Sequence, residues 1–217
     1  MKLSNLKKSY GGRSVLDIDA LELQEGRVYA VIGANGSGKS TLAKLIAGAI
    51  LPDSGKMEGF DGSIGYMPQK SYAFRMSLEK NLRINGRDND RMQSLMSALK
   101  ISELGSAKAK KLSGGETARM ALARLFMRDY DLYILDEPCS AMDIESTLLA
   151  EKLISEHCKR LGCTVLIVTH SVSQAQRIAD EVLFISGGRL IERAGAQKLI
   201  SAPECEETRR FLEFYAK

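Results

Sequence analysis

The stretch "VYAVIGANGSGKSTLAKLIAG", residues 28 to 48, limits what this chain can fold into more than any other. An apolar run ends in a turn holding Gly33, Gly36 and Gly38, and a Lys-Ser-Thr step then opens a helix-forming segment. Glycines let the backbone curl until several N–H groups converge, and the helix start adds unpaired N–H groups and a positive dipole end. Strand, turn and helix in this order fit G-x-x-x-x-G-K-[ST], a phosphate-binding loop. Gly33, Asn35, Gly36, Ser37, Gly38 and Thr41 would then form the cradle, with Lys39 on the β and γ phosphates and the Ser40 hydroxyl on Mg²⁺.

Other apolar runs extend the pattern: "LYIL" (132 to 135), "TVLIVT" (164 to 169) and "VLFIS" (182 to 186) read as strands. Between them "ETARMALARLFM" and "DIESTLLAEKLISEHCKRL" read as helices. The alternation predicts an α/β fold, a P-loop NTPase core with a mostly parallel sheet. The first 25 residues, with "VLDIDALEL" partly alternating, predict a flanking antiparallel β region. From about residue 71 to 113 the strand signal disappears, and Met92, Leu95, Met96 and Leu99 recur at helical spacing. A small α-helical subdomain inserted in a single domain spanning 1–217 is therefore expected.

Composition excludes more than it selects. A formal charge of +4 is too mild to argue for nucleic acid, and no window approaches the roughly 20 apolar residues of a membrane span. The four cysteines show no CxxC spacing and read as reduced thiols.

Three further motifs carry chemistry. "DLYILDEP" puts Asp136 at the C-terminal end of a buried strand, where α/β sheets present ligand-binding groups, and Glu137 directly after it. The pair reads as a metal-holding aspartate and a general base for an attacking water. "LIVTHS" ends its strand at His170, which parallel-sheet logic brings to the same rim, within reach of a γ-phosphate; His157, inside a charged helix, reads as an ordinary surface residue. "LSGGE" (112 to 116) starts a second helix with Ser113, Gly114 and Gly115, another anion site in a chain that already has one.

Phosphate loop, "LSGGE", "LYILDEP" and "TH", in that order and over essentially the whole chain, resemble the nucleotide-binding subunit of an ABC transporter. The resemblance implies an ATPase in which Ser113, Gly114 and Gly115 bind the γ-phosphate of ATP held by a second subunit, most simply another copy. Two chains face head to tail around two ATPs and drive separate transmembrane permease subunits. It further implies that Gln69, in "IGYMPQK", contacts Mg²⁺ or the water, that Asp143, in "SAMD", communicates across the dimer, and that Tyr10 stacks on adenine. The implied catalytic set is Glu137, His170, Gln69 and Lys39, with Ser40, Gln69 and Asp136 around the metal.

Thr117 and Cys139 depart from the family's usual residues without removing a group assigned to chemistry. The short interval from Lys39 to Gln69 implies a trimmed antiparallel β-hairpin in "PDSGKMEGFDGSIGY", and no regulatory domain is expected after His170. Gln69, Lys70, Phe74, Met76, Ser77 and Asn81 form a pattern similar to phosphate-type oxyanion importers. That reading places the chain at the cytoplasmic face of the membrane, with an extracytoplasmic solute-binding protein as a further partner. An exporter subunit and a non-transport ABC-type ATPase are the alternatives.

Overall fold

A computed structural model describes residues 1–215. Strands β1 (Lys2–Tyr10) and β2 (Arg13–Glu22) pair antiparallel, with Leu3 opposite Leu21 and Leu6 opposite Ile18. β3 is Val28–Ile32, and β4 (Ser54–Glu58) joins the free edge of β1, giving a three-stranded sheet. The larger sheet contains β5 (Ile64–Met67), β6 (Leu132–Asp136), β7 (Thr164–Val168), β8 (Glu181–Ser186) and β9 (Arg189–Gly195). Its spatial order is β5-β6-β7-β3-β8-β9, parallel throughout except for the β8–β9 hairpin.

Parallel strands covered on both faces must be apolar along their whole length. β3, β6 and β7 accordingly have no exposed position. Side-chain alternation then sorts the core. Tyr29, Val31, Ile134 and Leu166 face α1 (Lys39–Ile46) and the small sheet, where Leu42, Leu45, Leu6 and Ile18 meet them. Tyr133, Leu135, Val165 and Ile167 face the opposite way, toward a helical layer.

That layer begins with α2 (Leu78–Leu82) and α3 (Asn89–Ala98), and residues 71 to 113 contain no named strand. Met92, Leu95, Met96 and Leu99 are all buried, in one cluster with Met120 and Leu122 of α4 (Gly114–Phe126). α5 (Ile144–Leu161), α6 (Val172–Ile178), α7 (Ala196–Ser201) and α8 (Glu206–Tyr215) complete the order.

Two expectations need correction. The segment after the phosphate loop is not a hairpin: β4 pairs with β1 and β5 pairs parallel with β6, so the two strands belong to different sheets. Gly55 permits this, because a Cβ there would lie 2.3 Å from the Asn5 carbonyl oxygen. His157 is not a surface residue but 5% exposed. With Ala150 and Ile154 it lies on the buried stripe of α5, stacked on Phe126 at 4.5 Å between centroids. Arg160 Nη2 donates to its Nδ1 at 3.1 Å, so the proton sits on Nε2, 2.8 Å from the Tyr133 hydroxyl. Burial, with Arg160 and Arg91 nearby, pushes its pKa down to about 4.

The β8–β9 turn fastens the phosphate loop to the small sheet. The Gly188 N–H donates to the Ser37 carbonyl at 3.0 Å, and its carbonyl accepts from the Asp17 N–H at 2.8 Å. With φ +81 and the site of its absent Cβ 2.6 Å from the Val15 carbonyl oxygen, position 188 admits only glycine without strain.

Gly188→Ala is expected to lower stability by about 1–3 kcal/mol in urea denaturation, and an unchanged midpoint refutes this clamp. A second expectation follows from His157. Its imidazole stays neutral when folded, whereas an unfolded histidine titrates near about 6.5, so the unfolded state binds the extra proton and stability falls as pH drops from 6.5 toward 4. Between about pH 7 and about pH 5 the wild-type midpoint should fall further than that of His157→Gln, and equal falls would contradict the assignment.

Candidate functional site

The loop between β3 and α1 is shaped by close approach. A Cβ on Gly33 would lie 2.1 Å from the Ile185 carbonyl oxygen and 2.8 Å from Ser37 Oγ, so the backbone of β8 reaches the loop only because position 33 is glycine. Lys39, 6% exposed, donates from Nζ to the carbonyls of Gly33 at 2.7 Å and Ala34 at 2.9 Å. Burial pushes its pKa down, while Glu137 and Asp136 act in the other direction. Ser37 Oγ is buried without a partner, a polar atom awaiting one. Asn35, Gly36, Ser37, Gly38, Lys39, Ser40 and Thr41 line a cavity of about 280 Å³ that Gln69, Glu137 and Val15 complete.

Two carboxylates lie beside the loop: Glu137 lines the cavity, and Asp136 meets it through Ser40. Asp136, the last residue of β6, is 1% exposed, and its Oδ1 accepts from Ser40 Oγ at 2.9 Å across 96 positions of sequence. Its Oδ2 is buried and unpaired. Burial raises the Asp136 pKa and the neighbouring Glu137 adds to this, against the Ser40 hydrogen bond and the lysines Lys44 and Lys39. An orphaned carboxylate oxygen beside a serine hydroxyl supplies two hard oxygen donors, which fits Mg²⁺ completed by substrate phosphates and water. Among the described residues no group of three or more His, Cys, Asp or Glu forms a metal cage, as such a site requires none.

Glu137 has φ 53, a left-handed conformation that non-glycine residues seldom adopt. Its N–H donates to the Val168 carbonyl at 2.9 Å, and the Ser140 N–H and hydroxyl donate to its own carbonyl, fixing the turn. His170 Nδ1 lies 2.8 Å from Glu137 Oε2. Glu137 also lines a second cavity, of about 410 Å³, together with His170. His170 therefore meets the general-base candidate directly but does not line the phosphate-loop cavity.

The second anion site lies elsewhere. Ser113 caps α4 through a reciprocal pair: its Oγ accepts from the Glu116 N–H at 3.2 Å, and Glu116 Oε2 accepts from the Ser113 N–H at 2.7 Å. The Gly114 and Gly115 N–H groups, in the first turn, have no intrahelical acceptor. A Cβ on Gly115 would lie 2.9 Å from the Ala141 carbonyl oxygen, which packs this helix start against the turn after Glu137. None of residues 113 to 115 lines the phosphate-loop cavity.

Tyr10 ends β1 with half its surface exposed and Lys8 Nζ 5.6 Å from its ring centroid. Asp143 caps α5, accepting from the Ser146 N–H at 2.7 Å, and that bond lowers its pKa. Sequence reasoning missed Val15, whose carbonyl oxygen packs against Gly38, and Gly188, whose N–H holds the loop at Ser37; the only hint was the Gly-Gly pair in "ISGGRL".

Comparison with known proteins places this geometry. The ABC transporter family matches residues 16–140, more than half of the chain. The tungstate uptake system ATP-binding protein TupC of Peptoclostridium acidaminophilum is 40% identical over 208 residues, covering 89% of this chain and 97% of that protein. A dimeric bacterial ABC transporter cassette superposes with a TM-score of 0.81 at 21% identity, over 90% of this chain and 98% of that one. An archaeal ribosome recycling factor superposes at 0.83 and 28% identity over 99% of this chain, which spans 42% of that longer protein. The chain belongs to the ABC transporter family and is an ATPase cassette of it.

Proposed function

We propose that this cassette dimerises head to tail around two ATPs and drives a permease that imports a tetrahedral oxyanion of the tungstate type. The observation that carries the reading is the split of its anion sites. The buried loop around Lys39 holds one partial phosphate site, and the exposed α4 start at Ser113 holds another that is no part of that cavity. A single chain cannot close both on one phosphate. A second copy can, and ATP then bridges the two.

ATP sits with its adenine on Tyr10, its phosphates in the loop from Gly33 to Thr41, and its γ-phosphate toward Lys39. Asp136, Ser40 and Gln69 would hold Mg²⁺, which would supply positive charge against the phosphates. Glu137 takes the proton of the attacking water, and His170, bonded to its carboxylate, orients it. Ser113, Gly114 and Gly115 of the partner copy bind the γ-phosphate, and Asp143 sits where the two copies meet. Loss of that phosphate removes the partner of the α4 start, so hydrolysis favours opening.

Permease subunits dock at a groove of about 240 Å³ beside Gln69, lined by Met67, Tyr72, Ile84 and Leu125. Tyr72 and Ile84 are exposed, Arg124 adds a cation to the groove wall, and Arg75, Lys80 and Arg83 are exposed close by in sequence, which suits an apolar helix with an acidic rim. Among the described residues no helix is long and apolar enough to cross a membrane, so attachment to the cytoplasmic face runs through the permease. In this reading residues 1–217 form one cassette, with 71–113 as its helical insertion. The oxyanion is assigned from the 40% identical uptake protein. Choice of cargo then rests with the permease and an extracytoplasmic binding protein.

Glu137→Gln should bind ATP, lose about 10²–10⁴-fold in hydrolysis, and form an ATP-dependent dimer in light scattering; wild-type turnover would remove Glu137 as the base. Ser113→Arg should still bind ATP yet stay monomeric in the Glu137→Gln background, and undiminished dimer would defeat the split-site reading. Ile84→Glu should release the chain from permease-containing membranes, and full retention would move the docking groove elsewhere.

A further inference from the structure

The C-terminal end of α5 brings two thiols together. Gly162 takes the left-handed conformation, φ 64, and its N–H donates to the Cys158 carbonyl at 2.8 Å, ending the helix. Such caps fold the chain back so that the residue offering that carbonyl meets the residue just beyond the glycine, ordinarily as an apolar contact. Here both are cysteines, Cys158 and Cys163, each about 95% buried in one core cluster. Cys158 Sγ donates to the Cys163 carbonyl at 2.8 Å, so the Cys158 thiol is turned onto the residue that carries the second one.

The frame around them is fixed. The Thr164 N–H donates to the Asp131 carbonyl and the Val165 N–H to the Arg27 carbonyl, both at 2.9 Å, while Thr164 Oγ1 accepts from the Gly26 N–H at 3.1 Å. Cys163 forms part of the wall of a surface cavity of about 640 Å³ rimmed by Glu25, Asp61, Asp129 and Asp131. That acidic rim repels anionic disulfides such as oxidised glutathione and admits a small neutral oxidant. Cys139 and Cys205 are not part of such a pair.

We propose that Cys158 and Cys163 are a dithiol modification site that hydrogen peroxide converts to an intramolecular disulfide. One thiolate attacks peroxide; the O–O bond breaks, giving a sulfenic acid and hydroxide. The second thiol loses its proton to that hydroxide, its sulfur attacks the sulfenic sulfur, and the S–O bond breaks as the S–S bond forms. Across both steps two thiols and one peroxide give one disulfide and two waters, and two molecules of a reducing thiol reverse it. The product closes the loop across Gly162 and ties α5 to β7.

The test treats the full chain with hydrogen peroxide and maps thiols by mass. Lys159 and Arg160 lie between the two cysteines, so trypsin separates them unless a disulfide joins the peptides. The expected result is loss of two of the four thiols and two hydrogens in mass, with the Cys158 and Cys163 peptides linked until reductant is added. C163S should abolish the link and leave Cys158 to oxidise to sulfinic acid. C139S/C205S, which leaves the pair untouched, should form the link as wild type does, so the test survives if C163S fails to fold. Recovery of the two peptides unlinked, with Cys205 oxidised first, overturns the proposal.

Discussion

A buried ammonium organises this molecule. Lys39 is taken out of water by its own loop, and the carbonyls of Gly33 and Ala34 satisfy its protons. Two acids, Asp136 and Glu137, supply the opposing charge from the end of β6, which β7 separates from β3 in the sheet. Burying a charge is expensive unless it is paired and hydrogen-bonded, so the loop, β6 and the turn after it must be placed together or not at all. The fully buried parallel strands and the Gly188 clamp serve that placement. They give a polar pocket a rigid apolar base.

How much of this could be read from sequence follows from which contacts are local. β3, β6 and β7 were legible because strands covered on both faces are continuous apolar runs, and the stripe from Met92 to Leu99 was legible because helical spacing is a local property. β5 and β9 were not, since an edge strand containing Gly65 and a hairpin strand carrying Glu192 and Arg193 have neither signal. His157 was misread because its charged neighbours outweighed its spacing from Ala150 and Ile154.

At the site, the motifs announced their residue types but not their partners. Nothing in "GKST" or "LDEP" says that Ser40 and Asp136 share a hydrogen bond, or that one oxygen of Asp136 stays unpaired. Those facts depend on strand order, a long-range property. The same holds for the strained turn at Glu137, where Val168 and Ser140 compensate a conformation that its own sequence disfavours. Strain held in place by surrounding bonds points the carboxylate at a chosen spot instead of letting it seek solvent.

The α4 start makes the last step of the proposed cycle intelligible. Its reciprocal cap already uses the Ser113 N–H and one acceptor position of its hydroxyl, both through Glu116. What remains for an incoming phosphate is the hydroxyl proton and the Gly114 and Gly115 N–H groups, a set of donors with no countercharge of its own. Such a set binds an anion through oriented dipoles, and its affinity falls when the anion leaves. A lysine in that place would attract other acidic groups and hold them after hydrolysis. Dipoles aimed at one point release the partner more readily, and a dimer that must open in every cycle needs that property more than it needs strength.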